Sequence, residues 1–190
     1  MITDMMLNQE QQSGFESGSG RPEGRSAILV SKKPGLYLRR AQPSESRELA
    51  RWIRDHHYTK RKPPGYVEAL EFVQDGGERI GAMLIGQPNA SLNRDKILEL
   101  TRMYFVDEAP PNTESRALAM MRRHVRVWLP QIRLLLSYSD PAQGHVGAIY
   151  EADGWAPFGM TTHKTGYGWR SRPNRTEDPV GPKQRWVRTP

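Results

Sequence analysis

Between residues 27 and 170 the spacing of apolar and polar positions changes several times, and each change predicts a new element. Ala27 to Ser31 and Leu36 to Arg39 are short apolar runs of strand type. Pro43-Ser44 then opens a stretch in which Leu49, Trp52 and Ile53 recur at helical spacing, so a helix is predicted to run to about His56-His57-Tyr58. A basic loop, Lys60 to Gly65, follows. Val67 to Gln74 and Arg79 to Gly86 read as strands joined by Asp75-Gly76-Gly77, a hairpin signal. Ile97 to Phe105 is a third long strand. The segment Asn112 to Ser115 starts a second helix, with Leu118, Met121 and Val125 on its buried face. Arg133 to Tyr138 is a strand and Val146 to Ala152 a helix stopped by Gly154. Trp155 to Met160 and His163 to Trp169 complete the sheet. This order predicts an α/β (α+β) fold with one central mixed sheet flanked by helices.

The flanks have a different texture. Residues 1–26 are rich in Gln, Ser and Gly and bury too little apolar area to offset ordering, so they are expected to be a disordered tail. The domain is expected to span 27–170. Residues 171–190 carry Pro173, Pro179, Pro182 and Pro190 among five Lys and Arg side chains, which predicts a basic, Pro-rich, extended tail.

Chemistry collects where strands end. Leu135 to Asp140 runs from apolar residues into Ser137, Tyr138, Ser139 and Asp140, and Gly144-His145 with Gly147 follows. In open α/β sheets ligands bind outside the carboxyl ends of strands, which gives Asp140 a ligand or catalytic role, or an N-cap across the short loop. Tyr150 is a proton donor, a stacking group or a core aromatic. Glu99 to Asp107 leads into Asn112, Ser115 and Arg116 at a helix start, whose free N–H groups suit a phosphate; an ordinary capped helix is the plainer alternative. Arg102, in mid-strand, is expected to pair with Glu99 or Asp140. His56 and His57 either cap the last carbonyls of their helix or serve as base or metal ligand, with Asp140 and His145 as the available partners.

Charge adds a partner. Lys and Arg number 28 against 21 Asp and Glu, a net charge of +7. Lys60, Arg61 and Lys62 flank Tyr58 and Tyr66, a set that suits phosphates and stacked bases. Arg122, Arg123 and Arg126 on the second helix, then Lys164, Arg170 and Arg172, extend the basic surface or form a solvated face. The chain has no cysteine, which excludes disulfides and thiolate metal sites. No membrane span or secretory leader is read, so a cytoplasmic location is expected.

These blocks together resemble the Mom family of phage DNA-modification proteins. The matching residues are His57-Tyr58 with Pro64-Gly65, Glu99-Leu100 with Arg102, Asn112 with Glu114-Ser115, and Ser137 to Asp140. Gly144-His145, Gly147, Ile149-Tyr150, Gly154-Trp155 and Gly159 complete the set, which spans about Trp52 to Gly159. The resemblance implies a GNAT-like acyltransferase fold and conversion of adenine in double-stranded DNA to a carbamoylmethylated form that resists host restriction. It implies iron held by His57 and Asp140, functional roles for Tyr58, Arg102, Ser115 and Tyr150, and a group donor that is acyl-CoA or another acyl donor. The full Gly-rich acetyl-CoA signature is absent, and Ser139 replaces the family's usual alanine. Two other readings stand beside it: a GNAT enzyme acting on a small-molecule or protein amine, and a non-catalytic DNA-binding protein. Oligomeric state is left open, a dimer being one option.

Overall fold

The computed structural model describes residues 28–30, 35–57, 60, 65–88, 92–161 and 181–190. Two short strands, β1 (Ile28–Val30) and β2 (Tyr37–Arg40), precede helix α1 (Pro43–His56). The Glu45 carboxylate accepts the backbone N–H of Gln42 at 2.8 Å and so satisfies a free donor at the start of α1. Strands β3 (Glu68–Val73), β4 (Arg79–Gly86) and β5 (Ile97–Phe105) follow, then α2 (Thr113–Trp128) and β6 (Leu134–Ser139). A 3-10 turn (Pro141–Gln143), the short helix α3 (Ala148–Ala152), β7 (Ala156–Met160) and β8 (Gln184–Arg188) end the chain.

The eight strands form one sheet in the order β1-β2-β3-β4-β5-β6-β8-β7. Neighbours pair antiparallel except β5 and β6, which are parallel. Strand alternation divides the core between two faces. Ala82 and Leu84 pack with Leu49 and Ile53 of α1, whereas Met83 and Ile85 pack with Leu118, Met121 and Val125 of α2. The result is a sheet sandwiched between helices, as the spacing predicts. Among the described residues no helix is long and apolar enough to cross a membrane.

Residues 184–188 correct the expected boundary at 170. The C-terminal segment supplies a strand inserted between β6 and β7, with Trp186 buried at 2% exposure. The sequence Gln184-Arg185-Trp186-Val187-Arg188 offers one large apolar residue among polar ones, so it reads as tail; in the fold that single indole is what the strand buries. Pro182 and Pro190 flank the strand and take no donor from its ladder. Residues 1–26 and the strand expected over 163–169 lie outside the described residues.

Two irregularities shape the middle of the sheet. Between Leu84 and Ile85 the register against β5 shifts, leaving Thr101 as an extra residue between Leu100 and Arg102. This bulge is held by the Thr101 hydroxyl donating to the Leu84 carbonyl at 3.0 Å. Beyond it, β5 and β6 part company. They pair only from Ile97–Leu134 to Glu99–Leu136, although both strands continue.

Candidate functional site

The parting of β5 and β6 opens a cavity of about 1090 Å³. Its walls come from Leu100 to Phe105 on one strand, from Ser137 to Asp140 on the other, and from the loop and helix that follow, down to Tyr150. His56 and His57 enter from the end of α1, Thr161 from just after β7 and Lys183 from just before β8. The cavity therefore sits at the carboxyl ends of two parallel strands, where the sequence pattern placed a ligand.

His57, Arg102, Asp140, His145 and Tyr150, from separate parts of the sequence, all line this space. His56 and His57 divide the two roles proposed for them. The His56 Nδ1 lies 2.8 Å from the Trp52 carbonyl and so closes the last turn of α1. His57 faces the cavity, and its imidazole is driven down to about 4 by burial first, then by the charges of Arg102, His145, Lys183 and Lys60. It is a neutral ring at neutral pH.

Asp140 also combines two roles. It is 8% exposed, its carboxylate accepts the Ala142 N–H at 3.2 Å as a cap on the 3-10 turn, and it pairs with Lys183 at 3.6 Å. Lys183, from the segment read as a tail, is a partner that the sequence did not offer. Arg102 Nη1 donates to the Thr101 carbonyl at 2.7 Å and stays on the cavity wall.

Tyr150 is not a stacking group. Its ring lies parallel to Trp186 (centroids 5.5 Å apart, 16° between planes) and edge-on to Trp155 at 5.4 Å, leaving 5% exposure. Only its hydroxyl serves the cavity, and it shares a hydrogen bond of 2.8 Å with Ser137. Trp186 organises this wall. Its indole N–H donates to Ser139 at 2.9 Å, and Gly147, at φ +97°, passes so close that a Cβ there would overlap the indole. Neither Trp186 nor Lys183 was singled out by the sequence; Pro and Arg around them masked the strand.

The expected donor contacts stand apart from the cavity. Asn112 does occupy the N-cap of α2, but with left-handed backbone (φ 63°) and no side-chain cap. Ser115 donates to the Asn112 carbonyl at 3.1 Å, and Glu114 is the residue of this turn that reaches the cavity. Pro110 and Pro111 bring no N–H, and Asp107, Glu108 and Glu114 add negative charge. This helix start is a poorer phosphate cradle than Asn112, Ser115 and Arg116 promise in sequence.

The expected basic interface is also redistributed. Lys60 Nζ donates to the Asp55 carbonyl at 2.5 Å, while Tyr66 packs against the α1 cluster with its hydroxyl 3.4 Å from Ser46. Arg122 grips Asp153 through two hydrogen bonds of 2.8 and 2.7 Å, and Arg126 donates to the Pro190 carbonyl. Those two arginines tie α2 to its neighbours. Tyr58, Arg61, Lys62, Lys164, Arg170 and Arg172 lie outside the described residues.

Among the described residues no group of three or more His, Cys, Asp or Glu is placed to hold a metal ion. His57 lies among cationic groups, which oppose a second cation beside it. The iron pair expected of His57 and Asp140 therefore gains no third His, Cys, Asp or Glu ligand among the described residues.

Three solved structures similar to this chain in fold are acetyltransferases. The RimL ribosomal L7/L12 alpha-N-protein acetyltransferase is similar over 90% of this chain and 98% of its own, with TM-score 0.60 and 12% identity. Mycobacterium smegmatis RimJ, in complex with CoA-disulfide, is similar over 86% of both chains (TM-score 0.57, 14% identity). A GNAT-family acetyltransferase from Streptococcus pneumoniae matches over 81% of this chain and 98% of its own (TM-score 0.55, 13% identity). At these identities the likeness establishes the GNAT fold. In sequence, the chain is 34% identical over 55 residues to "Methylcarbamoylase mom" of Escherichia phage Mu, a match spanning 29% of this chain and 23% of that protein. The model of the Mom protein family matches residues 37–178, three quarters of the chain, and takes in the α1 terminus, both cavity strands and α3. The chain belongs to the Mom protein family.

Proposed function

We propose that this chain is a transferase that modifies adenine in double-stranded DNA, adding a carbamoylmethyl group to the exocyclic amine and shielding the DNA from restriction. The observation that carries this reading is the convergence of His57, Arg102 and Asp140 on one cavity in a chain of the Mom family. The name of the phage Mu relative, a methylcarbamoylase, supports the transferred group, and the net charge of +7 suits a nucleic-acid substrate. Such a substrate places the protein's work in the host cytoplasm.

An adenine amine inside a duplex is out of reach, so the base leaves the stack before reaction. The amine lone pair attacks the methylene carbon of a donor that carries the carbamoylmethyl group on a leaving group; attack on the carbonyl of an acyl-CoA would give an amide instead. The N–C bond forms as the bond to the leaving group breaks, and the leaving group departs with that electron pair. The amine proton passes to Asp140, a carboxylate held in place by Ala142 and Lys183. Neutral His57 accepts a hydrogen bond from the amine and orients it. Arg102 and Lys183 offset negative charge on the leaving group. The Tyr150 hydroxyl, set by Ser137, and Tyr58, next to His57 in the chain, are assigned to proton donation. Asn112, Ser115 and Arg116, outside the cavity wall, are assigned to the far end of a long donor. Lys60, Arg61 and Lys62 follow the DNA backbone.

The test is restriction challenge of plasmid DNA from bacteria expressing the chain. Resistance to endonucleases whose sites contain adenine, with unchanged cutting at sites lacking it, is expected. Equal cutting of both classes, with the protein soluble and folded, overturns the reading.

A further inference from the structure

Tyr150 cannot hold a base between rings, because it is stacked on Trp186 and only 5% exposed. Another aromatic surface meets the same cavity. Trp52 and His56 lie one turn apart on α1, with ring centroids 4.9 Å apart. Tyr104, from β5, lies 5.2 Å from His56 with 27° between planes and 5.3 Å from Trp52 at 64°. The three rings form one continuous patch. His56 and Tyr104 line the cavity, on the strand that also carries Arg102.

We infer that His56 and Tyr104 form the platform on which the extruded adenine stacks; this rests on the adenine-modification reading. Every base presents a π-face, and aromatic side chains are the usual surface for an unpaired one. The patch is available for that purpose: His56 is exposed and Tyr104 half-buried, unlike Tyr150. The Trp52 carbonyl can only accept, so His56 Nδ1 donates to it, which fixes the orientation of the ring in the patch.

The test uses the purified full chain and two fluorescein-labelled single strands of equal length and charge, one oligo(dA) and one abasic. Fluorescence anisotropy gives the ratio of their affinities. The wild type is expected to favour oligo(dA) by about ten-fold or more. Tyr104→Ala is expected to bring the ratio close to one while affinity for the abasic strand is kept, and Tyr104→Phe to restore the preference. Should Tyr104→Ala fail to fold, His56→Ala, at an exposed helix end, decides the matter through a several-fold fall in the ratio. A ratio unchanged in a folded Tyr104→Ala or His56→Ala overturns the platform. A preference that depends on Tyr104 in a protein whose host DNA stays unmodified supports the platform and sinks the adenine-modification reading. Modified DNA with no aromatic dependence sinks the platform alone.

Discussion

The indole N–H of Trp186 donates to the Ser139 hydroxyl at 2.9 Å, joining β8 to the residue directly before Asp140. The same indole stacks on Tyr150 and fills the space left by Gly147. Through these contacts a residue beyond the family-matched stretch, which ends at 178, sets the position of the cavity wall. In stability terms Trp186 behaves as a core residue; in functional terms it fixes Ser139, Tyr150 and the loop carrying His145.

Trp186→Ala is expected to destabilise the fold by about 3–5 kcal/mol, the usual range for removing a buried aromatic. Trp186→Phe keeps the stack on Tyr150 but leaves Ser139 without its donor, an expected cost of about 1 kcal/mol. Denaturant unfolding of the two variants checks the order. A Phe variant as unstable as the Ala variant places the weight on the hydrogen bond and not on the ring.

Lys183 and Asp140 form a partly solvated pair, 27% and 11% exposed, so its loss changes stability little, by about 1 kcal/mol or less. Its effect on chemistry is expected to be larger, since Asp140 loses the cation that orients it. Lys183→Met is expected to lower the yield of modified adenine about ten-fold while the melting temperature stays close to wild type; Lys183→Arg retains most of the yield. Equal yields in Met and wild type remove Lys183 from the mechanism.

How far the molecule is readable from its sequence depends on how each residue is surrounded. β4 and β5 occupy the predicted residues, Arg79–Gly86 and Ile97–Phe105, because long apolar runs bounded by turn residues leave little ambiguity. His57, Arg102 and Asp140 lie together because each sits at an element end or bulge facing the same gap, and their residue types pointed there. β8 was hidden by its arginines and flanking prolines, and with it Trp186 and Lys183. Tyr150 was ambiguous between core and site until its two tryptophan neighbours were in place. The Trp52, His56 and Tyr104 patch joins a helix to a strand 48 residues later in the chain, a contact no local pattern reports.

The His57 ring, lowered from 6.5 to about 4, stays neutral in the folded protein while the unfolded chain takes up a proton first as pH falls. Unfolded protein therefore binds more protons between these values, and this residue's contribution to stability is present above about 6.5 and lost on descending to about 4. An NMR titration of the imidazole is expected to show a midpoint near 4, and Arg102→Gln to raise it by removing a neighbouring cation. A midpoint near 6.5 in the wild type contradicts the burial and the cationic surroundings assigned to His57.

The most direct test of the central claim is mass spectrometry of nucleosides from the DNA of bacteria expressing either the wild-type chain or Asp140→Ala. A carbamoylmethylated adenine nucleoside is predicted with the wild type, and its disappearance with a folded Asp140→Ala protein. Unmodified adenine alone with folded wild-type protein, or equal modification by both proteins, contradicts the account.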